Sequence, residues 1–181
     1  FFDGGGITLT GGEPTRQFGA VKAFLAMMKA EGISTAMETN GSHPDLPALF
    51  PLIDTLMMDF KHPDSGKHRE FTGAGNETIR ANIRAAAERH LRLQLRTPLI
   101  GGFNVGEKEL DGFLAFFRQL RDSGTPMENV TMEFLRYHEY GKEKWAQCGW
   151  EYRMENGAVS PEWVKRYEDA FRESGFRVVR T

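Results

Sequence analysis

With 181 residues, of which 40% are apolar and 27% charged, the chain is long enough to bury roughly 70% of its unfolded surface, so a single well-packed domain spanning 1–181 is expected. Lys plus Arg number 23 against 25 Asp plus Glu, a net charge of −2, which argues against a nucleic-acid or anionic-membrane partner. Cys148 is the only cysteine, which excludes a disulfide framework and a thiolate metal site within this chain.

No apolar run approaches the ~18 residues of a membrane helix, and the start lacks a signal-peptide pattern; the expected compartment is the cytoplasm. Phe1-Phe2-Asp3-Gly4-Gly5-Gly6 leads straight into a strand-like segment with neither Met nor a helix cap, and the chain therefore reads as part of a longer protein. Ile7 to Thr10 is the first strand. Gln17 to Glu31 carries Phe18, Val21, Leu25 and Met28 at helical spacing, and Gly32 ends that helix. Ile33 to Thr39 reads as a second strand, His43 to Ile53 as a short helical connection, and Thr55 to Phe60 as a third strand.

Asn76 to His90 turns Ile79, Ile83 and Ala86 inward, with Arg80, Arg84 and Glu88 on the wet side. In the fourth strand Leu91, Leu93 and Leu95 alternate with Arg92, Gln94 and Arg96. Glu107 to Asp122 presents Leu110, Phe113, Leu114, Phe117 and Leu120 on one face, and Val130 to Tyr137 supplies a fifth strand. Ser160-Pro161-Glu162 supplies a cap, a first-turn proline and a dipole-matching acid for a last helix that closes at Gly175. Strands alternating with helices predict an α/β fold with a parallel sheet and right-handed crossovers. The small number of units favours an open or partial barrel over a closed eight-fold one, with a doubly wound sheet as the structural alternative.

In such folds ligands sit at the carboxyl ends of the strands. Five polar clusters fall there: Gly11-Gly12-Glu13-Pro14, Glu38-Thr39-Asn40-Gly41, Asp59-Phe60-Lys61, Arg96-Thr97-Pro98 and Tyr137-His138-Glu139-Tyr140-Gly141. Each alone is explained as a turn, a loop leading into a helix, a rim ion pair or a solvated strand end. Acids, bases and glycines together at one end of successive strands fit a shared pocket for a zwitterionic ligand better. Gly11 and Gly12 let the backbone approach a ligand, their carbonyls can accept from an ammonium, and Glu13 can complete that pairing. Asp59 and Lys61, two residues apart on a strand, point to one face and Phe60 to the other. Gly4-Gly5-Gly6 lacks the following Gly-Lys-Ser/Thr of a phosphate loop, and Gly101-Gly102 reads as a turn.

Taken together, GGGITLTGGEP, METNG, LMMDFKHP, LRTPLIGGFN and LRYHEYGKEKW resemble, in order and spacing over nearly the whole chain, the activating enzymes of glycyl radical enzymes. Gly-Gly-Glu-Pro marks the wider radical S-adenosylmethionine superfamily, whereas the Tyr137 to Trp145 stretch points to the activases. The resemblance implies a partial (β/α)6 TIM-like barrel of the radical S-adenosylmethionine type, here without its first strand-helix unit. Such a barrel holds S-adenosylmethionine against a [4Fe-4S] cluster, cleaves it reductively, and uses the 5′-deoxyadenosyl radical to take hydrogen from a glycine of a partner enzyme, pyruvate formate-lyase or a relative. An oxidoreductase of anaerobic metabolism, drawing its electron from flavodoxin or ferredoxin, is implied.

Carried onto this sequence, the resemblance gives Gly11, Gly12 and Glu13 the methionine ammonium. It places Asp59, Phe60 and Lys61 on the ribose and carboxylate side, with Arg96 nearby, and has His138 close the far wall. Glu38, Thr39, Met57 and Asp59 match a monovalent cation site, with Glu38 one methylene longer than the Asp frequent in the family. Tyr137 and Trp145 are expected to meet the partner, with Trp150 and Tyr152 close by. The C-x3-C-x2-C cluster loop of the family lies before the Gly-Gly-Glu-Pro strand, so this chain carries no cluster ligand and is expected to be inactive alone. Cys148, beside Trp150, is expected to be a packing residue. The missing first unit should leave one sheet edge uncovered. The alternatives are another radical S-adenosylmethionine activase or modifying enzyme, a metabolite-binding α/β barrel with an anion nest at a late loop, and a module that docks a peptide on Trp145, Trp150 and Tyr152.

Overall fold

Alternation of apolar and polar residues along each strand sorts the sheet into two faces, and the apolar set determines where the helices pack. The computed structural model describes residues 5–152, 154 and 156–180; the opening segment 1–4 lies outside them. Six strands, β1 (Gly6–Leu9), β2 (Ser34–Thr39), β3 (Thr55–Asp59), β4 (Arg92–Leu99), β5 (Val130–Arg136) and β6 (Arg177–Val178), pair in chain order and are all parallel. Parallel neighbours need a crossover each time, and the chain supplies α1 (Phe18–Ala30), α3 (Glu77–Glu88), α4 (Glu107–Asp122) and α6 (Pro161–Glu173) for most of them.

One contiguous core joins Met37, Leu56, Leu93 and Met132 of the sheet to Ile83 of α3, Phe113 and Phe117 of α4 and Tyr167 and Phe171 of α6. Phe60 meets Phe113 edge-on at 5.4 Å and Phe116 at 4.7 Å, and Phe117 meets Phe171 at 5.0 Å. Aromatic pairs of this kind add about 0.5–1.5 kcal/mol each beyond their buried area. The helices thus cover one face, and the opposite face keeps Ala36, Glu38, Met57, Asp59, Gln94 and Arg96 half-buried. This is the sheet of a partial TIM-like barrel, the architecture expected from the sequence.

Several elements differ from the sequence-based expectation. β4 runs on through Leu99, so Arg96 lies inside the strand rather than after it. Pro98 is tolerated there because β3 has already ended at Asp59, opposite Arg96, leaving β5 as the only neighbour at that height. Two further elements had readable signals: α2 (Ser65–Thr72), capped by Asp64 and ended by left-handed Gly73, and a four-residue 3-10 turn at Pro14–Gln17 capped by Glu13. β6 is only two residues long and carries too little pattern to be read.

Among the described residues β1 pairs with β2 alone, and α1 buries only Leu25 fully, leaving Met27 53% exposed. β1 is thus an edge strand of the described sheet.

Three buried asparagines hold the loops at the carboxyl ends of the strands from behind. Asn82 Nδ2 donates to the Gly41 and His43 carbonyls, both at 2.9 Å, Asn104 Nδ2 to those of Lys61 and Pro98, both at 2.8 Å, and Asn76 Nδ2 to that of His62 at 2.7 Å. Gly41 turns the chain at φ +72°, and a Cβ there would stand 2.4 Å from Met58 Sδ and 2.7 Å from its Cγ. Gly41→Ala combines left-handed strain with overpacking, and a loss of about 2–4 kcal/mol is expected in urea denaturation.

Candidate functional site

A cavity of about 270 Å³ opens at the carboxyl ends of β1 to β4, on the face the helices leave free. Its first wall is the loop after β1. Gly11 has φ +113°, and a Cβ built on Gly11 or Gly12 would meet no atom within 4 Å, so the backbone faces open space.

Glu13, by contrast, is fully engaged with its own protein. Its Oε1 accepts from Thr15 N at 3.1 Å, Thr15 Oγ1 at 2.6 Å and Thr39 Oγ1 at 2.7 Å, and its Oε2 from Asn40 N at 2.7 Å. Burial alone would raise this carboxyl. The hydrogen bonds from the Asn40 backbone, Thr15 and Thr39 outweigh burial and hold the group below its ordinary range. Glu13 therefore ties the glycine loop to the end of β2.

The second wall is an ionic network spanning four strands. Glu38 accepts from Thr10 Oγ1 at 2.7 Å on one oxygen and from Arg96 Nη1 at 2.8 Å on the other. Arg96 Nε donates to Glu133 Oε2 at 3.0 Å, and Gln94 Nε2 donates to the same oxygen at 2.7 Å. Burial works against the Arg96 charge, but Glu133 and Glu38 raise its pKa beyond the ordinary guanidinium value. Asp59, opposite Arg96 in the register, pairs with Lys61 at the rim.

Of the residues singled out in the sequence, Gly11, Gly12, Glu13, Glu38, Thr39, Met57, Asp59 and Arg96 border this one cavity. Lys61 joins it only through Asp59. Phe60 does not line the cavity: its ring is completely buried on the helix side against Phe113 and Phe116, because neighbouring strand residues face opposite ways. His138 does not line the cavity either; it is exposed and stacks on Tyr140 at 4.4 Å. The four residues matched to a monovalent cation are neighbours, yet Glu38 spends both oxygens on Thr10 and Arg96, and the Thr39 hydroxyl goes to Glu13.

The cavity also draws on Thr10 and Asn40, which border it, and on Gln94 and Glu133, which hold Arg96. Glu133 had a signal: an acid in the apolar strand Val130-Thr131-Met132-Glu133-Phe134, on the parity opposite the core residues Met132 and Phe134.

Beyond the cavity, α5 (Lys142–Gln147) carries Trp145, which meets Trp150 edge-on at 5.4 Å and Tyr152 at 6.0 Å. Trp145 is 44% exposed and Trp150 61%, so these rings form a surface cluster rather than core. Desolvation and the Tyr152 hydroxyl it touches push the Tyr137 phenol up to about 12. Cys148 is exposed, against the expectation that it packs inside. Among the described residues no group of three His, Cys, Asp or Glu could hold a metal ion, and no helix is long and apolar enough to cross a membrane.

Residues 2–115 match the profile of the radical SAM superfamily. The chain belongs to this superfamily. The matched span of this radical SAM chain contains every residue that borders the cavity and ends before Glu133 and the Tyr137 to Trp145 stretch. Among curated relatives, the choline trimethylamine-lyase activating enzyme of Oleidesulfovibrio alaskensis is 36% identical over 179 residues, 97% of this chain and 56% of the relative. The 4-hydroxyphenylacetate decarboxylase activating enzyme of Clostridioides difficile is 32% identical over 176 residues, 94% of this chain and 54% of the relative. The chain spans about half the length of these relatives. A crystal structure of a domain of pyruvate-formate lyase-activating enzyme from Bacteroides vulgatus shares the fold, with TM-score 0.76 and 24% identity, covering 97% of this chain and 98% of that one.

Proposed function

We propose that this chain provides the S-adenosylmethionine-binding part of an enzyme that activates a glycyl radical enzyme. The observation that carries this reading is the cavity itself: open glycine backbone on one wall faces a guanidinium on the other, in a radical SAM chain. This donor set suits an amino-acid zwitterion, with carbonyls of Gly11 and Gly12 taking the ammonium and Arg96 the carboxylate. On this reading Asp59, which borders the cavity and pairs with Lys61, takes a ribose hydroxyl. Glu13 acts here by shaping the glycine loop, since its carboxylate is already engaged.

With Cys148 as its only cysteine, this chain does not by itself fit a [4Fe-4S] cluster, whose thiolate ligands would come from elsewhere in the complete gene product. Together the cluster and S-adenosylmethionine would supply one-electron cleavage of the sulfonium and a hydrogen-abstracting carbon radical, with flavodoxin or ferredoxin as electron source. The curated relatives are activating enzymes for different partners. On this reading the partner here is a glycyl radical enzyme, pyruvate formate-lyase or a relative, in the cytoplasm. The exposed Trp145 and Trp150, with half-buried Tyr152 against Trp145, offer the partner an aromatic surface at the carboxyl end of the sheet.

The complete gene product, reconstituted anaerobically with iron and sulfide and given a reductant, is expected to release 5′-deoxyadenosine from S-adenosylmethionine. Trp145→Ala should leave this uncoupled release within about twofold while lowering glycyl radical formation on the partner about tenfold or more, as loss of an aromatic anchor worth ~2 kcal/mol would. Cluster-loaded protein that releases none would refute the radical reading, and equal loss of both activities in the variant would refute the docking role.

A further inference from the structure

We propose that Glu133 is a positioning residue for ligand recognition, acting through Arg96; the inference rests on the reading of the cavity as an S-adenosylmethionine site. Glu133 sits on β5, its side chain is only 2% exposed, and it faces away from the core that takes Met132 and Phe134. A carboxylate withdrawn from water on the polar face is costly unless it is matched. It is matched here by Arg96 Nε at 3.0 Å and Gln94 Nε2 at 2.7 Å, both held by β4.

The consequence falls on Arg96. With Nε held by Glu133 and Nη1 by Glu38 at 2.8 Å, two contacts on opposite sides fix the plane of the guanidinium. Nη2 is then the nitrogen with no protein partner among the described residues, on a side chain that borders the cavity. Glu38 alone could not do this, since a single hydrogen bond leaves the fork free to rotate, and Glu38 is itself half-exposed. Glu133 thus pre-orders a donor for the carboxylate of the ligand without touching the ligand, and loss of that order should weaken binding of carboxylate-bearing ligands selectively.

The test uses the complete gene product and two probes, S-adenosylhomocysteine, which carries the amino-acid carboxylate, and 5′-methylthioadenosine, which lacks it. By titration calorimetry, Glu133→Gln is expected to weaken S-adenosylhomocysteine about tenfold while 5′-methylthioadenosine changes less than about twofold. In an Arg96→Lys background, which has no fork to orient, Glu133→Gln should add less than about twofold. Should E133Q fold too poorly to titrate, Gln94→Leu, which removes the hydrogen bond from Gln94 Nε2 to Glu133 Oε2, is expected to show the same selectivity with a smaller shift. Equal weakening of both probes, or full additivity with R96K, would overturn the positioning role alone. Failure of the unsubstituted protein to bind either probe would overturn the ligand reading and this inference with it.

Discussion

Replacing Arg96 with Met is expected to destabilise the complete gene product by about 3–5 kcal/mol, because it removes the guanidinium from which the buried Glu133 Oε2 accepts. Arg96 is 23% exposed and Glu133 2%, so water does little to replace the contact that is lost. Glu38, 37% exposed, loses the same partner at small cost because it can be hydrated. The contrast yields an internal control: Arg96→Met with Glu133→Met removes both buried charges and should recover to within about 1–2 kcal/mol of the starting stability. Urea unfolding of the two variants measures both effects. Binding behaves differently, since the double variant still lacks the guanidinium and should remain at least tenfold weaker for S-adenosylhomocysteine. Recovery of stability without recovery of binding would separate the structural role of the ion pair from its role toward a ligand.

Glu13→Gln is expected to cost about 2–3 kcal/mol, the scale of hydrogen bonds to a charged acceptor. The amide cannot reproduce the native pattern, because donors approach both carboxylate oxygens and the amide nitrogen must face one of them. Since Glu13 ties the glycine loop to Asn40, ligand affinity should fall with stability, by about tenfold or more. The acid dependence has a definite sign. The folded-state pKa of Glu13 lies below its ordinary value near 4.5, so its contribution is complete above that value and is lost as pH falls through the folded-state pKa. Unfolding curves from pH 7 down to pH 3 should therefore converge, the starting protein losing its advantage over Glu13→Gln on the acid side. A constant difference across that range would show that Glu13 acts through packing and not through its charge.

Most of the architecture was legible because each crossover helix repeats its apolar residues at helical spacing and each long strand alternates. Ile79, Ile83 and Ala86 of α3, and Leu110, Phe113, Leu114, Phe117 and Leu120 of α4, are all buried as that periodicity required. The site was legible through a different signal, polar residues gathered just after apolar runs. Gly11 to Glu13, Glu38, Asp59 and Arg96 come together because six parallel strands in chain order put those positions at one end. The helix at Ser65–Thr72 was missed although Asp64 and Gly73 mark its ends, because with one buried residue, His68, it has almost no apolar stripe to read.

What the amino-acid sequence determined by itself was the order of elements, the faces they bury and the ends at which polar groups collect, since these follow from local periodicity and chain connectivity. What only the tertiary structure decided was the pairing of those groups. Glu13 closes on Thr39 and Asn40 rather than projecting freely, Glu38 reaches Arg96 across β3, and Glu133 joins them from β5. Such contacts link residues 26 to 58 positions apart. They depend on strand register and on side-chain reach across the curled sheet, and no local pattern in the chain encodes either.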